Sequence, residues 1–343
     1  MTERNRADKN GCLKEKQQYP WAEYMTEEDF ISAGPSYESG KYLPLFEDKV
    51  FHTGDSRVGD LRYFVYDPTL HGFPKGKEYP VLFALHGAGG SLVGKMAVNW
   101  AGGEMFASPE MQEKLGGAYI IAPIANEYYD CHGEQRMTWM TPVEGQLYEG
   151  YDAQEKEFAE GLVRSGWDIA MLFGHPSVYT DSLLRLLKQE LKMLDANGPR
   201  ILMGASAGGY AAWRLMLAEP GYFAAVLMMA GAYLPSRKEL DVIDRSGTRL
   251  WIVHAKHDEC VPYDEMILPI LPRLEQMKRV EFYCPELARR ADGGVAVNMT
   301  PIGFQMGQHC INDLIQEDLL WLDGTPMDPA HPGGVTGWIN SIR

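Results

Sequence analysis

The sequence predicts an α/β protein built on a doubly wound, mostly parallel β-sheet. Runs of apolar residues recur along the chain at 81–85, 118–122, 201–203, 224–229, 250–253 and 280–283, and most of them lack the polar alternation of half-exposed strands. Strands that are covered on both faces need apolar residues at nearly every position. Helical patterns separate these runs, and strands that alternate with helices form parallel sheets through right-handed crossovers.

Individual elements can be placed from the same patterns. Residues 50–53 and 61–66 alternate in the manner of early antiparallel strands, with turn residues beside them. The clearest helix runs from Asp181 to Leu194, where leucines recur at helical spacing until Asn197-Gly198-Pro199 ends the pattern. A second apolar helix is expected over 311–321.

These elements favour one main domain over residues 46–325. Residues 1–45 form a polar extension, which either packs on the surface through aromatic anchors such as Trp21 and Tyr24 or is a partly disordered tail. Residues 326–343 are a turn-rich C-terminal tail past the last helix. Residues 126–178 interrupt the strand–helix rhythm with aromatic and polar residues, so this insertion forms either a lid over a site or a segment packed on the core.

Composition and charge exclude several classes of partner. The formal charge of −15, from 47 acidic and 32 basic residues, disfavours nucleic acids and anionic membranes. No stretch reaches the ~18 to 20 apolar residues of a membrane helix, and the first ten residues lack the apolar core of a secretory signal. Five cysteines are too few for a disulfide framework. We expect a cytoplasmic protein with free thiols; the oligomeric state is left open.

A candidate nucleophile lies in Gly204-Ala205-Ser206-Ala207-Gly208. An apolar strand precedes this segment and a helical segment follows it, which is the context of a nucleophile elbow: a sharp turn that exposes the serine hydroxyl. Gly204 and Gly208 fit because a Cβ would collide with neighbouring backbone. The alternative is a turn of small residues that only lets a helix pack close to the sheet.

Attack on a carbonyl needs donors for the oxygen that becomes negative. The strand 81–85 ends in His86-Gly87-Ala88-Gly89-Gly90, where a loop whose amides face the nucleophile is expected. We assign the amides of Ala88 and Ala207 as the donors, with Gly89 as the alternative to Ala88. His86 is expected to hold the loop by hydrogen bonds. The loop lacks the Gly-x-Gly-x-x-Gly and Gly-Lys-Ser/Thr patterns of nucleotide sites, which disfavours phosphate binding.

The base and the acid follow from chain order, which is serine, acid, histidine in this arrangement. His309 and His331 both lie after the late strands, but His309 directly precedes a predicted helix whereas His331 lies in the C-terminal tail. His309 is therefore the predicted base. Asp258 follows a strand at the edge that also carries the serine and is the predicted acid, with Glu259 as its competitor.

Further residues are candidates for binding a substrate or a metal ion. Trp139, Tyr210 and the tyrosine of Ala232-Tyr233-Leu234 are the candidate substrate-binding residues. His254 and His257 could join Asp258 around a metal ion, but two histidines beside one aspartate do not specify a metal site. We predict no metal and no cofactor.

Together, the strand-His-Gly-Ala-Gly-Gly, Gly-Ala-Ser-Ala-Gly-Gly, Asp-x-x-Val-Pro and Gly-x-His segments resemble the α/β-hydrolase superfamily over about residues 60 to 325. Within it, the chain is similar to the branch of feruloyl and acetyl xylan esterases, polyhydroxybutyrate depolymerases and prolyl-oligopeptidase-like esterases. One group of fungal feruloyl esterases and tannases joins a cysteine before the nucleophile to one after the histidine. Here Ala205 precedes Ser206, so Cys310 cannot form that bridge.

The resemblance and the motifs imply a serine hydrolase with Ser206, Asp258 and His309 as its triad. The expected substrate is a small-molecule carboxylic ester, of feruloyl type or an acylated sugar, cleaved through an acyl-enzyme. A serine peptidase or amidase with the same triad is the alternative. A protein that binds ligands on this fold without catalysis is the third possibility, and an absence of acyl-enzyme labelling would favour it.

Overall fold

The computed structural model describes residues 37–129, 135–136, 138–143, 150–164, 176–296 and 307–342. The predicted aromatic anchors at Trp21 and Tyr24 lie outside the described residues. So does much of the candidate lid at 126–178, including Tyr148 and Trp167. The lid prediction and the division of the chain at residues 45 and 325 therefore stay predictions.

An eight-stranded sheet forms the centre of the protein, with the strand order β1-β2-β4-β3-β7-β8-β9-β10. The strands are β1 Glu47–Phe51, β2 Leu61–Tyr66, β3 Val81–Leu85, β4 Tyr119–Pro123, β7 Arg200–Ala205, β8 Ala225–Met229, β9 Arg249–Val253 and β10 Val280–Tyr283; β5 Tyr128–Tyr129 and β6 Gln135–Arg136 pair in a separate hairpin. Strand β2 pairs antiparallel with β1 and β4, and all other neighbours in the large sheet are parallel. The predicted doubly wound, mostly parallel sheet is confirmed.

Helices cover both faces of this sheet. The α-helices are Ala97–Trp100, Pro109–Leu115, Ala153–Arg164, Thr180–Leu194, Ala207–Ala218, Arg237–Ser246, Tyr263–Met266, Leu271–Leu274, Ile311–Gln316 and Gly334–Asn340. Successive residues of β3 enter opposite cores: Val81, Phe83 and Leu85 join one apolar cluster, and Leu82 and Ala84 join the other. Burial on both faces explains the apolar runs that carried the fold prediction.

The end of the chain differs from the sequence-based expectation. The helix expected over 311–321 ends at Gln316, because the chain reverses through Asp318 and Leu319, which have positive φ angles of 62° and 52°. The C-terminal segment is not a tail past the last helix. It contains the helix Gly334–Asn340, whose Trp338 packs against Trp251 of β9 with ring centroids 5.3 Å apart.

Residues just before β1 are tied to the body of the protein. The amides of Gly40 and Tyr42 donate to the buried carboxylate of Glu104 at 2.9 and 3.0 Å, and the Tyr37 hydroxyl donates to Asp313 at 3.1 Å. Strand β1 itself spans Glu47–Phe51 rather than the predicted 50–53. In the part of the chain that the structure describes, no helix is long and apolar enough to cross a membrane.

Candidate active site

Ser206 lies on a strained turn between β7 and the helix Ala207–Ala218. Its φ of 54° and ψ of −116° are unusual for a residue with a side chain, and such strain costs about 1–3 kcal/mol. The turn closes because glycines allow backbone contact. A Cβ on Gly208 would lie 2.0 Å from the carbonyl oxygen of Leu85, and a Cβ on Gly204 would lie 2.5 Å from that of Gly208. Ala205 and Ala207 are buried, whereas Ser206 between them is only partly buried.

Among the described residues, two backbone amides in this region have no hydrogen-bond partner: that of Ala207, which follows Ser206, and that of Ala88 in the loop after β3. Ala207 is the first residue of its helix, where no helical carbonyl is available to the amide. Ala88 is exposed, and its amide donates to no other described residue. The preceding Gly87 touches the serine, since a Cβ there would lie 3.3 Å from Ser206 Cβ. The two amides predicted as oxyanion donors are thus open next to Ser206.

The alternative donor, Gly89, has a different environment. It is buried, and its amide is directed at the carboxylate of Glu127. The amide of Ser91 donates to the same carboxylate at 3.2 Å. An amide that is already committed to a carboxylate is not available to an oxyanion, so the geometry favours Ala88 over Gly89. Sequence reasoning missed Glu127 because no motif marks it.

His86 holds the loop from inside. Its Nε2 accepts a hydrogen bond from the amide of Ala125 at 3.0 Å, so its Nδ1 carries the proton and donates to the carbonyl of Gly87 at 2.5 Å. Burial lowers the pKa of His86 to about 4, which keeps the ring neutral at physiological pH. A Cβ on Gly90 would lie 2.1 Å from the ring, so glycine is required there. These contacts support the predicted loop-holding role.

Asp258 and His309 form a buried hydrogen-bonded pair. Nδ1 of His309 donates to both carboxylate oxygens, at 2.9 and 2.8 Å, which leaves Nε2 free to accept a proton when the ring is neutral. The amides of Cys260 and Val261 also donate to Asp258, at 2.8 and 2.7 Å. Burial alone would raise the pKa of Asp258, but the adjacent His309 and these hydrogen bonds hold it below its usual value.

Glu259, the competing acid, binds the backbone of the histidine loop instead of the ring. Its carboxylate accepts the amides of Gln308 and His309 at 3.2 and 3.0 Å. Burial and the neighbouring charge of Asp258 raise the pKa of Glu259 to about 8. The geometry therefore gives the two acidic residues different tasks: Asp258 orients the imidazole, and Glu259 holds the backbone that carries it.

Ser206 and the Asp258–His309 pair lie at the same edge of the sheet. Ser206 follows β7 and Asp258 follows β9, and both strands are parallel neighbours of β8. Within the described residues, no hydrogen bond joins the Ser206 hydroxyl to His309. Such contacts are often long without substrate and shorten in the complex.

His331 lies in another environment. Its ring stacks on Trp251 at a centroid distance of 4.0 Å, and its Nδ1 bonds to Asp328 at 2.6 Å. Its Nε2 lies 3.6 Å from a carboxylate oxygen of Glu281 in β10. Through the aromatic contact and the two carboxylates, His331 links the C-terminal segment to the sheet.

Replacing His331 with alanine is expected to leave kcat/KM within about threefold of wild type while lowering the free energy of unfolding by about 1–3 kcal/mol. The substitution removes the stacking on Trp251 but touches no reacting group. Ester hydrolysis and urea denaturation of the same preparation would measure both quantities. If folded H331A lost activity while H309A retained it, the base would have to be reassigned to His331.

The residues considered as metal ligands are only partly grouped: Nε2 of His254 lies 3.5 Å from a carboxylate oxygen of Asp258. His257 pairs with Glu286 at 3.1 Å, and His254 bonds to the carbonyl of Val261 at 2.7 Å. A different group, Asp258, Cys260 and His309, has possible ligand atoms within 4.8 Å of one another. In this group, the carboxylate of Asp258 already accepts hydrogen bonds from the imidazole of His309 and from two backbone amides. Cys260 and Cys284 are free thiols.

The three aromatic residues predicted to bind substrate are enclosed by protein. Trp139, Tyr210 and Tyr233 are at most 1% exposed. Trp139 donates to the carbonyl of His86 at 3.0 Å, and the Tyr233 hydroxyl donates to Glu239 at 2.7 Å. The Tyr210 ring packs edge-on against Tyr233. Direct contact with substrate stays a prediction for these residues; in the structure their side chains are packed in the core.

A family model described as "Esterase: Putative esterase" matches residues 58–269, more than half of the chain. The chain belongs to this esterase family. It is thus a hydrolase of the α/β-hydrolase type, as the resemblance implied. The matched segment includes the loop after β3, Ser206 and Asp258. No curated protein matches the sequence.

Solved structures resemble the chain at low identity. A thermostable esterase matches with 19% identity and a TM-score of 0.49, over 71% of this chain and 55% of that chain. The chain therefore spans about half the length of that esterase. An IroE-like serine hydrolase from Shewanella oneidensis has 15% identity and a TM-score of 0.43, over 80% and 81% of the two chains. An acylaminoacyl peptidase from Pyrococcus horikoshii has 16% identity and a TM-score of 0.42, over 71% and 37%. At this level the matches carry no argument about substrate.

Proposed function

We propose that the protein is a serine carboxylic ester hydrolase with Ser206 as nucleophile, His309 as general base and Asp258 as the acid that orients it. The observation that carries the proposal is the Asp258–His309 hydrogen bond at the sheet edge where the strained Ser206 turn and two open amides lie. Membership of the esterase family supports the same reaction class.

The reaction follows from these groups. The Ser206 hydroxyl attacks the ester carbonyl carbon while Nε2 of His309 takes its proton, and the amides of Ala88 and Ala207 stabilise the resulting oxyanion. The C–O bond to the alcohol then breaks, and the imidazolium protonates the leaving oxygen. Water attacks the acyl-enzyme with His309 again as base, which releases the acid and restores Ser206.

The substrate class we propose is a small-molecule ester of the feruloyl or acylated-sugar type, following the resemblance of the Ser-Ala-Gly-Gly-Tyr segment that begins the nucleophile helix. A panel of p-nitrophenyl, feruloyl and acetyl-sugar esters beside aminoacyl p-nitroanilides tests this, with product masses as the readout. We expect turnover of esters at kcat/KM at least about tenfold above any anilide. Faster cleavage of the anilides would replace the esterase by a peptidase or amidase with the same triad.

A further inference from the structure

Glu127 is a buried carboxylate beside the oxyanion loop that the proposed reaction does not use. It lies in the loop after β4 and is 8% exposed. The Ser91 amide donates to its Oε2 at 3.2 Å, and the Ser91 hydroxyl donates to its backbone carbonyl at 3.1 Å. The amide of Gly89 is directed at the same carboxylate. Glu127 therefore connects two loops that are 36 residues apart in sequence.

At this point the loop is also held by a backbone hydrogen bond from the Leu92 amide to the Gly89 carbonyl at 3.0 Å. Gly89 has a φ of 85°, in the left-handed region, and the following turn has no side-chain cap of its own. His86 holds the loop at Gly87, on the other side of Ala88. Ala88 is thus fixed from both directions: by the imidazole before it and by the Glu127 carboxylate after it.

We propose that Glu127 is a positioning residue for ester hydrolysis, whose carboxylate binds the Gly89 and Ser91 amides so that the Ala88 amide stays open beside Ser206. The proposal rests on the proposed function, since it assigns to Glu127 the shape of the oxyanion site. Glu127 acts through the backbone and touches no reacting atom.

The charge of Glu127 changes near neutral pH. Burial raises its pKa to about 7, although the amides of Ser91 and Gly89 act in the opposite direction. The Tyr179 hydroxyl interacts with the charge of Glu127, and His86 lies in the loop that Glu127 binds. Burial raises the pKa of the Tyr179 hydroxyl, and burial lowers the pKa of His86 to about 4. Both stay neutral between about pH 5 and 9, so only Glu127 among these three titrates in that range.

Glu127→Ala and Glu127→Gln test the proposal, with Glu190→Gln as the matched control. Glu190 is also a fully buried carboxylate, but it binds Lys49 and Tyr63, away from the loop. We expect E127A to lower kcat by about 10- to 100-fold, less than the ~10²–10³ lost with a whole oxyanion donor, because the Ala88 amide is displaced and not removed. KM should stay within about threefold.

Phenylboronic acid reports the oxyanion site separately, because it forms a tetrahedral adduct on the serine. Its inhibition constant should rise with E127A by about the factor by which kcat falls, and E127Q should recover part of both. Titration with a fluorophosphonate counts the competent active sites. The rates are then expressed per active site, so misfolded protein does not lower the measured kcat. Unchanged kcat and boronate affinity in E127A, or the same loss in E190Q, would overturn the proposal.

A pH profile gives a readout that a merely structural role would not move. Glutamine resembles the protonated carboxyl group, so the ratio of wild-type to E127Q kcat should be largest above pH 7 and approach one below it. The E190Q ratio should be flat, and a flat E127Q ratio would contradict the proposal. If the wild-type protein hydrolyses no ester, or if S206A stays active, the proposed function itself fails. If the wild-type protein is active and the Glu127 variants have the same activity, only the inference about Glu127 fails.

Discussion

Replacing Ser206 with alanine is expected to lower kcat for ester hydrolysis by about 10⁴-fold or more, because the acyl-enzyme route loses its nucleophile while the oxyanion site and the base remain. Fold should be retained, since alanine fits the space of serine. A fluorophosphonate should label the wild-type protein at Ser206, which digestion and mass spectrometry would locate, and S206A should stay unlabelled.

Ser246→Ala is the matched control. Its hydroxyl donates to the carbonyl of Ile243 and accepts from the amide of Thr248, at the end of a helix away from the elbow. Activity and labelling of S246A should equal those of wild type. An adduct on a serine other than Ser206, or full turnover by S206A, would refute the assignment of the nucleophile.

The sheet and the strained turn at Ser206 could be predicted because their determinants are local. Apolar residues at nearly every position of 81–85 and 201–203 identify strands covered on both faces. Gly208 is needed where the backbone contacts Leu85, and Gly204 is needed where it contacts Gly208. Asp258 could be chosen from its place at a strand end. Each of these signals lies within about ten residues of the group that it predicts.

The supports of the site could not be predicted because they depend on distant contacts. Glu127 binds an amide 36 residues away, and no residue pattern distinguishes it from a surface glutamate. For Trp139, the sequence likewise does not show the distant contacts that bury the side chain. An aromatic residue in a polar insertion suits a substrate pocket, yet its ring is buried against Tyr179 and its Nε1 donates to His86. The helix Gly334–Asn340 shows no clear hydrophobic periodicity in sequence either. Its position is set by the packing of Trp338 on Trp251.

The different hydrogen-bond partners of Asp258 and Glu259 lead to the second prediction of a large loss of kcat. Replacing Asp258 with asparagine is expected to lower kcat by about 10⁴-fold, as loss of the triad aspartate does in serine proteases. The carboxylate accepts the Cys260 and Val261 amides and the Nδ1–H of His309. In D258N the side-chain oxygen can keep the two amides, which turns the NH₂ group toward Nδ1. Donor then faces donor, so the imidazole places its proton on Nε2 and cannot accept the proton of Ser206.

Glu259→Gln is the matched comparison, because it makes the same chemical change one residue away. Its side-chain oxygen can still accept one of the two backbone amides that Glu259 binds, so we expect kcat to fall by about tenfold or less. Steady-state kinetics of both variants on one p-nitrophenyl ester, with ¹⁵N spectra of the His309 ring to report its tautomer, separate the roles. D258N should shift the proton to Nε2 and E259Q should leave it on Nδ1. A reversed order of the two losses, with the tautomer changed only in E259Q, would make Glu259 the acid of the triad.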